Sequence, residues 1–137
     1  MKIFFDTSAF VKRYVNETGS EQVVEICQKA DALALSIICL PEIISTLCRL
    51  VREGKLSEEE YEQLKTAILT DLEDIEICDI TSGVMLRVIS CLENNTLRAM
   101  DAIHLGSAIV YGADQFVSSD QKQIQAAQAT GLTVVKV

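Results

Sequence analysis

The sequence lacks a basic excess, a CxxC pair, a low-complexity tract and any apolar run of bilayer length, and it holds one proline and one histidine. With 12 Lys and Arg against 20 Asp and Glu, the net charge is -8, so the molecule as a whole is no electrostatic binder of nucleic acid. A polyanionic partner then needs a local basic patch or cations held by some of those acids. The longest apolar stretches, such as "ADALALSIICLPEII", are broken by Asp31, Pro41 and Glu42, which argues against a membrane span. The apolar start is interrupted by Asp6 and has neither a basic leader nor a small-residue cleavage site, so no signal peptide is expected and the expected compartment is cytoplasmic. The five cysteines, Cys27, Cys39, Cys48, Cys78 and Cys91, are odd in number and lie among apolar neighbours, which reads as reduced, buried thiols.

What is present is a globular composition: 137 residues, 49% apolar and 23% charged, enough for one domain over 1–137 with a real core. Lys2 to Phe5 reads as a buried strand, followed by a short helical "AFVKRYV". Helices are expected in "GSEQVVEICQKA", in "CLPEIISTLCRLVREG" with Pro41 near its first turn and Gly54 at its end, and in "SEEEYEQLKTAILTDLED", where Ser57 and Glu60 form a capping box. Further helices are expected in "SGVMLRVISCLENN", "LRAMDAIHLGSAIVYG" and "DQKQIQAAQATG", with strands at Ala32 to Ser36, Ile75 to Ile80, "QFVSS" and "LTVVKV". Strands alternating with helices predict an α/β protein, its parallel sheet covered on both faces.

Four acids stand out, each with an ordinary explanation. Asp6 and Asp120 are placed as helix N-caps, with Gln123 in capping-box register after Asp120, and Glu42 sits in a first helical turn where the macrodipole favours a carboxylate. Asp101 reads as lying within an otherwise apolar helix, too far in for a cap, with Arg98 three residues back as its structural partner. Topology gives the stronger signal. In an open parallel sheet ligands bind beyond the carboxyl ends of the strands. Asp6 and Asp120 end two strands there, Glu42 opens a helix after a third, and Asp101 lies in the N-terminal part of a helix that runs antiparallel to the strand after it. A cluster of this kind repels itself unless divalent cations neutralise it, and an all-oxygen set suits Mg2+ or Mn2+ rather than zinc. Ser8 and Ser118 are near enough in sequence to add hydroxyls to that site. His104, three residues after Asp101, is read as a hydrogen-bonded packing residue outside the catalytic set.

"FFDTSAFVKRYV", "LPEI", "LRAMDAIHLGSAIVYGA" and "FVSSDQKQ", in this order, resemble the PIN-domain ribonucleases, especially the toxins of VapBC toxin–antitoxin pairs. The resemblance implies a three-layer α/β/α sandwich with strand order 3-2-1-4-5, and metal-dependent hydrolysis of phosphodiesters in RNA. Its acidic residues match Asp6, Glu42, Asp101 and Asp120, and its small hydroxyl residue before the last acid matches Ser118, where many members carry Thr. It also implies a homodimer and a small antitoxin protein as partner. Apolar surface around Val11, Tyr14 and Val15 and around Ile44, Leu47 and Val51 is a candidate seat for an amphipathic antitoxin segment, with core or a homodimer seam as the alternative. Lys12, Arg13, Arg49, Arg52 and Arg98 are candidate RNA contacts or solvated helix faces.

Other site types fit less well. A metal-dependent adhesion loop of the form D-x-S-x-S fails at Phe10, a haloacid-dehalogenase-type phosphatase wants Asp where Ser8 stands, and a phospho-receiver module wants its acids elsewhere. The standing alternative is a catalytically silent PIN-fold protein that binds RNA or acts as a scaffold.

Overall fold

The computed structural model describes all 137 residues. Five parallel strands, β1 (Lys2–Phe5), β2 (Ala32–Ser36), β3 (Glu76–Cys78), β4 (Gln115–Ser118) and β5 (Val134–Lys136), form one sheet in the order β3-β2-β1-β4-β5. That is the order the resemblance implies. Between them run α1 (Thr7–Phe10, continued by a 3-10 turn at Val11–Arg13), α2 (Ser20–Lys29), α3 (Cys39–Arg52), α4 (Glu58–Asp71), α5 (Ser82–Asn94), α6 (Ala99–Tyr111) and α7 (Gln121–Ala129).

The strands alternate their side chains between two cores, which is how they bury both faces of the sheet. Ile3, Phe5, Leu35 and Val117 face a layer built from α1 to α4, where Phe10, Val23, Ile43, Leu47 and Ile68 are buried. Phe4, Ala34 and Phe116 face the other layer, with Val84, Val88, Cys91, Leu105, Ala108 and Ala127 from α5, α6 and α7. The two edge strands are shorter than the sequence suggests. β3 pairs only with β2 and β5 only with β4, so backbone beyond the paired residues has no neighbour to extend the ladder.

Two expectations are sharpened. Val11, Tyr14 and Val15 are half-buried against the first core and Leu47 is fully buried, which favours the core alternative for these four, while Ile44 and Val51 are half-buried on α3. The short helical stretch expected at "AFVKRYV" starts earlier, at Thr7, and tightens into the 3-10 turn after Phe10. The capping box at α4 is present: the Ser57 hydroxyl accepts from Glu60 N at 3.0 Å, and Ser57 N donates to the Glu60 carboxylate at 3.0 Å. All five cysteines are free thiols, with Cys39 and Cys91 buried and the rest half-buried. No helix is long and apolar enough to cross a membrane.

α6 lies against α5 closely enough that a Cβ on Gly106 would stand 2.8 Å from Val88 Cγ2 and 3.1 Å from Val88 N. Gly106→Ala gains about 1 kcal/mol in helix propensity, but overpacking costs about 1–3 kcal/mol, and the expected net loss is up to about 2 kcal/mol. Denaturant unfolding checks this; a variant more stable than the wild type by about the full 1 kcal/mol of propensity contradicts the close packing of α5 on α6.

Candidate active site

The sheet changes direction at β1: the chain first builds outward through β2 and β3, then returns to place β4 on the other side of β1. The crevice that results at the carboxyl ends of the strands is a cleft of about 490 Å3. Asp6, Glu42, Asp101 and Asp120 all line it, with Thr7, Ser8, Ser45, Thr46, His104 and Gln123 on its walls and Arg98 as its one Lys or Arg.

Asp6 lies at the bottom and is 1% exposed. It leaves β1 and caps α1. One carboxylate oxygen, Oδ1, accepts from Ala9 N at 2.9 Å and from the Ser8 hydroxyl at 2.7 Å; Oδ2 accepts from the Ser118 hydroxyl at 2.5 Å. Burial pushes its pKa up, and these hydrogen bonds only partly oppose the rise. Ser8 and Ser118 thus direct their protons at Asp6. Ser118 is itself 0% exposed and lies behind the cleft wall, where its oxygen also accepts from Asp120 N at 3.0 Å.

Glu42, in the first turn of α3, has a different environment. Its Oε1 accepts from the Thr7 hydroxyl at 2.7 Å and faces His104 Nε2 at 2.5 Å. Burial alone would raise its pKa, but the hydrogen bonds from His104 and Thr7, with the charges of His104 and Arg98, outweigh it and hold the carboxyl below its ordinary value.

Asp101 is the third residue of α6, because the extended backbone of Arg98 delays the helix start from the expected Leu97 to Ala99. The macrodipole therefore accounts for part of its placement, by about 0.3–1 kcal/mol. Burial raises its pKa, and so do the charges of Asp120 and, to a lesser extent, Glu42, while Arg98 and His104 pull the other way. Arg98 Nε stands 3.6 Å away on a side chain 87% exposed, so this is a surface pair and not a buried partner. Asp120 caps α7 by accepting from Gln123 N at 2.9 Å. The Gln123 side chain does not close a capping box: it is 1% exposed, and its Nε2 donates to the Asp101 carbonyl at 3.1 Å, tying α7 to α6.

The donor chemistry fits a hard divalent cation, since four carboxylates, all oxygen donors, face one polar cleft. As placed, no three His, Cys, Asp or Glu side chains are gathered tightly enough to hold an ion. Glu42 and Asp6 are drawn instead onto protein donors. Thr7 and Gln123 escaped the sequence reading as site residues. Thr7 adjoins Asp6, but a threonine opening a helix gives no hint that it reaches a carboxylate 35 residues away.

Residues 3–129 match the family model described as PIN domain. Ribonuclease VapC45 of Mycobacterium tuberculosis is 30% identical over 96% of this chain and 93% of its own. Among solved structures, a toxin–antitoxin complex from Klebsiella pneumoniae superposes with a TM-score of 0.71 at 18% identity, over 98% of this chain and 96% of that one. VapBC2 from Rickettsia felis, bound to a DNA fragment from its promoter, does so with a TM-score of 0.71 at 17% identity, over 100% and 99%. These structural likenesses are of fold.

Because Asp101 faces Asp120 and is paired only with an exposed arginine, removing its charge relieves repulsion and strands no buried cation. In chelator, Asp101→Asn is expected to melt no lower than the wild type, the lost surface pair being worth about 0–1 kcal/mol. A loss of about 3–5 kcal/mol is what a buried ion pair would give. Thermal melts of the two proteins decide between these.

Proposed function

The chain belongs to the PIN-domain family and is a relative of the VapC ribonucleases, and on that premise we propose that it is a metal-dependent ribonuclease. It hydrolyses phosphodiester bonds in single-stranded RNA, in the cytoplasm, as the toxin of a toxin–antitoxin pair. The observation that carries this reading is the cleft itself: four carboxylates with a single cationic side chain at the rim repel a phosphodiester unless a cation is also held there.

Asp6, Glu42, Asp101 and Asp120 are the residues that would hold Mg2+ or Mn2+, and Ser8 and Ser118 support the site through Asp6. The bound ion supplies positive charge at the scissile phosphate and lowers the pKa of the attacking water, so that no side-chain nucleophile is needed. The chain's own residues do the rest. Ser118, Ser8 and the Ala9 amide fix the Asp6 carboxylate in a single orientation. Asp120 is fixed by the α7 terminus. Arg98, 87% exposed and paired only at the surface with Asp101, would take a non-bridging phosphate oxygen, and Ser45 and Thr46 on α3 also line the cleft.

Two partners go with this reading. One is a small antitoxin, supported by the toxin–antitoxin complexes among the structures of this fold. The other is a second copy of the chain, supported by the outer face of α5, where Met85, Leu86, Ile89 and Leu92 are exposed together.

The purified chain is expected to cleave single-stranded RNA with Mg2+ or Mn2+ and to stop with chelator, leaving 5′-phosphate and 3′-hydroxyl ends as water attack requires. Cleavage that ignores chelator, or cyclic phosphate ends from attack by the RNA's own 2′-hydroxyl, overturns it. No cleavage under any metal favours the silent, RNA-binding alternative. Co-expression with the adjacent reading frame is expected to yield a stable complex by pull-down; recovery of the chain alone counts against the antitoxin.

A further inference from the structure

His104 is the only histidine in the chain, and it is 2% exposed. A buried imidazole in an apolar helix ordinarily takes a partner from its own core. This one does not: Nδ1 has no hydrogen-bond partner, while Nε2 points out of α6 to Glu42 Oε1 at 2.5 Å, across 62 residues of sequence. A bare Nε2 lone pair against a carboxylate oxygen at that distance would be repulsive, so the ring proton belongs on Nε2 and is donated to Glu42. The Thr7 hydroxyl, 3.2 Å from the same Nε2, donates to the same Oε1 at 2.7 Å. Two donors from two elements, α6 and α1, therefore converge on one oxygen of a glutamate that α3 carries. The other oxygen, Oε2, takes no bond from the protein.

We propose that His104 is a positioning residue of this site: together with Thr7 it clamps Oε1 of Glu42, fixes the rotamer of that side chain, and turns Oε2 toward the cleft for a divalent cation. The cation rests on the function proposed above; the clamp itself does not. A free glutamate has three side-chain torsions to order before it can serve as a ligand, and ordering them in advance removes that cost from binding. Burial makes the clamp rigid, since the ring is 2% exposed and Leu105 and Ala108 on the same helix are 0% exposed. The orphan Nδ1 is consistent with a ring held by its other nitrogen.

The untagged, metal-free chain tests the clamp first. With one histidine, a single imidazole N–H signal belongs to His104, and it is expected to be visible and protected from exchange in the wild type and lost to fast exchange in Glu42→Ala. An exchange-averaged ring in the wild type, or a signal indifferent to Glu42→Ala, overturns the proposal whatever metals do. Mn2+ affinity by calorimetry tests the consequence. His104→Leu, which fills the space without a donor, is expected to bind Mn2+ about 10- to 100-fold more weakly, as loss of a ligand-orienting partner does elsewhere. His104→Gln places an amide N–H near the Nε2 position and is expected to restore most of the affinity. Should His104→Leu fail to fold, Thr7→Val decides, with a loss of several-fold expected. A folded His104→Leu or Thr7→Val with wild-type affinity contradicts the positioning role. If the wild type shows the protected N–H yet binds no Mn2+, the cation reading fails while the clamp stands.

Discussion

A carboxylate at 1% exposure has to be satisfied where it stands, and Asp6 stands where the central strand leaves the sheet. Left alone there, its charge would cost several kcal/mol. The donors that meet it come from both sides of the switch in strand order: Ala9 N and Ser8 from the helix that follows β1, and Ser118 from the end of β4. Satisfying one buried acid thereby pins the two strand ends whose divergence opens the cleft. Ser118 passes the constraint on by accepting from Asp120 N, which sets the start of α7.

From that anchor the other acids take positions that are reasonable singly and costly together. Helix termini favour Glu42, Asp101 and Asp120, each in a first turn or at a cap. Their convergence raises the Asp101 pKa through the charge of Asp120, a penalty that a structural role does not explain. Like charges gathered on rigid elements, with one exposed arginine nearby, are the arrangement on which the proposed cation site rests.

Much of this was legible in the chain. The alternation of apolar strands with amphipathic helices is local, so Lys2–Phe5, Ala32–Ser36 and α3 appear where periodicity puts them. The rule that acids at strand ends and helix starts share one edge of a parallel sheet brought the four carboxylates together without any contact being known. What the sequence hid depends on distance in space. The ends of β3 and β5 depend on how far a neighbour extends, and Val11, Tyr14 and Val15 look surface-exposed until the turn after Phe10 folds them onto the core. Asp101 looked too far into its helix for a cap because Leu97 extends the apolar pattern upstream of the true start at Ala99. His104 read correctly as buried and hydrogen-bonded, but its partner on another helix leaves no trace in local spacing.

The central claim is that these carboxylates form one cation site on which RNA hydrolysis depends. Anomalous diffraction from a crystal of the chain soaked in Mn2+ tests it most directly. The account predicts a manganese peak in the cleft within coordinating distance of Asp101 and Asp120, with Asp6 and Glu42 completing its oxygen shell. Ordered carboxylates with no peak between them, in a preparation that cleaves RNA, would contradict it.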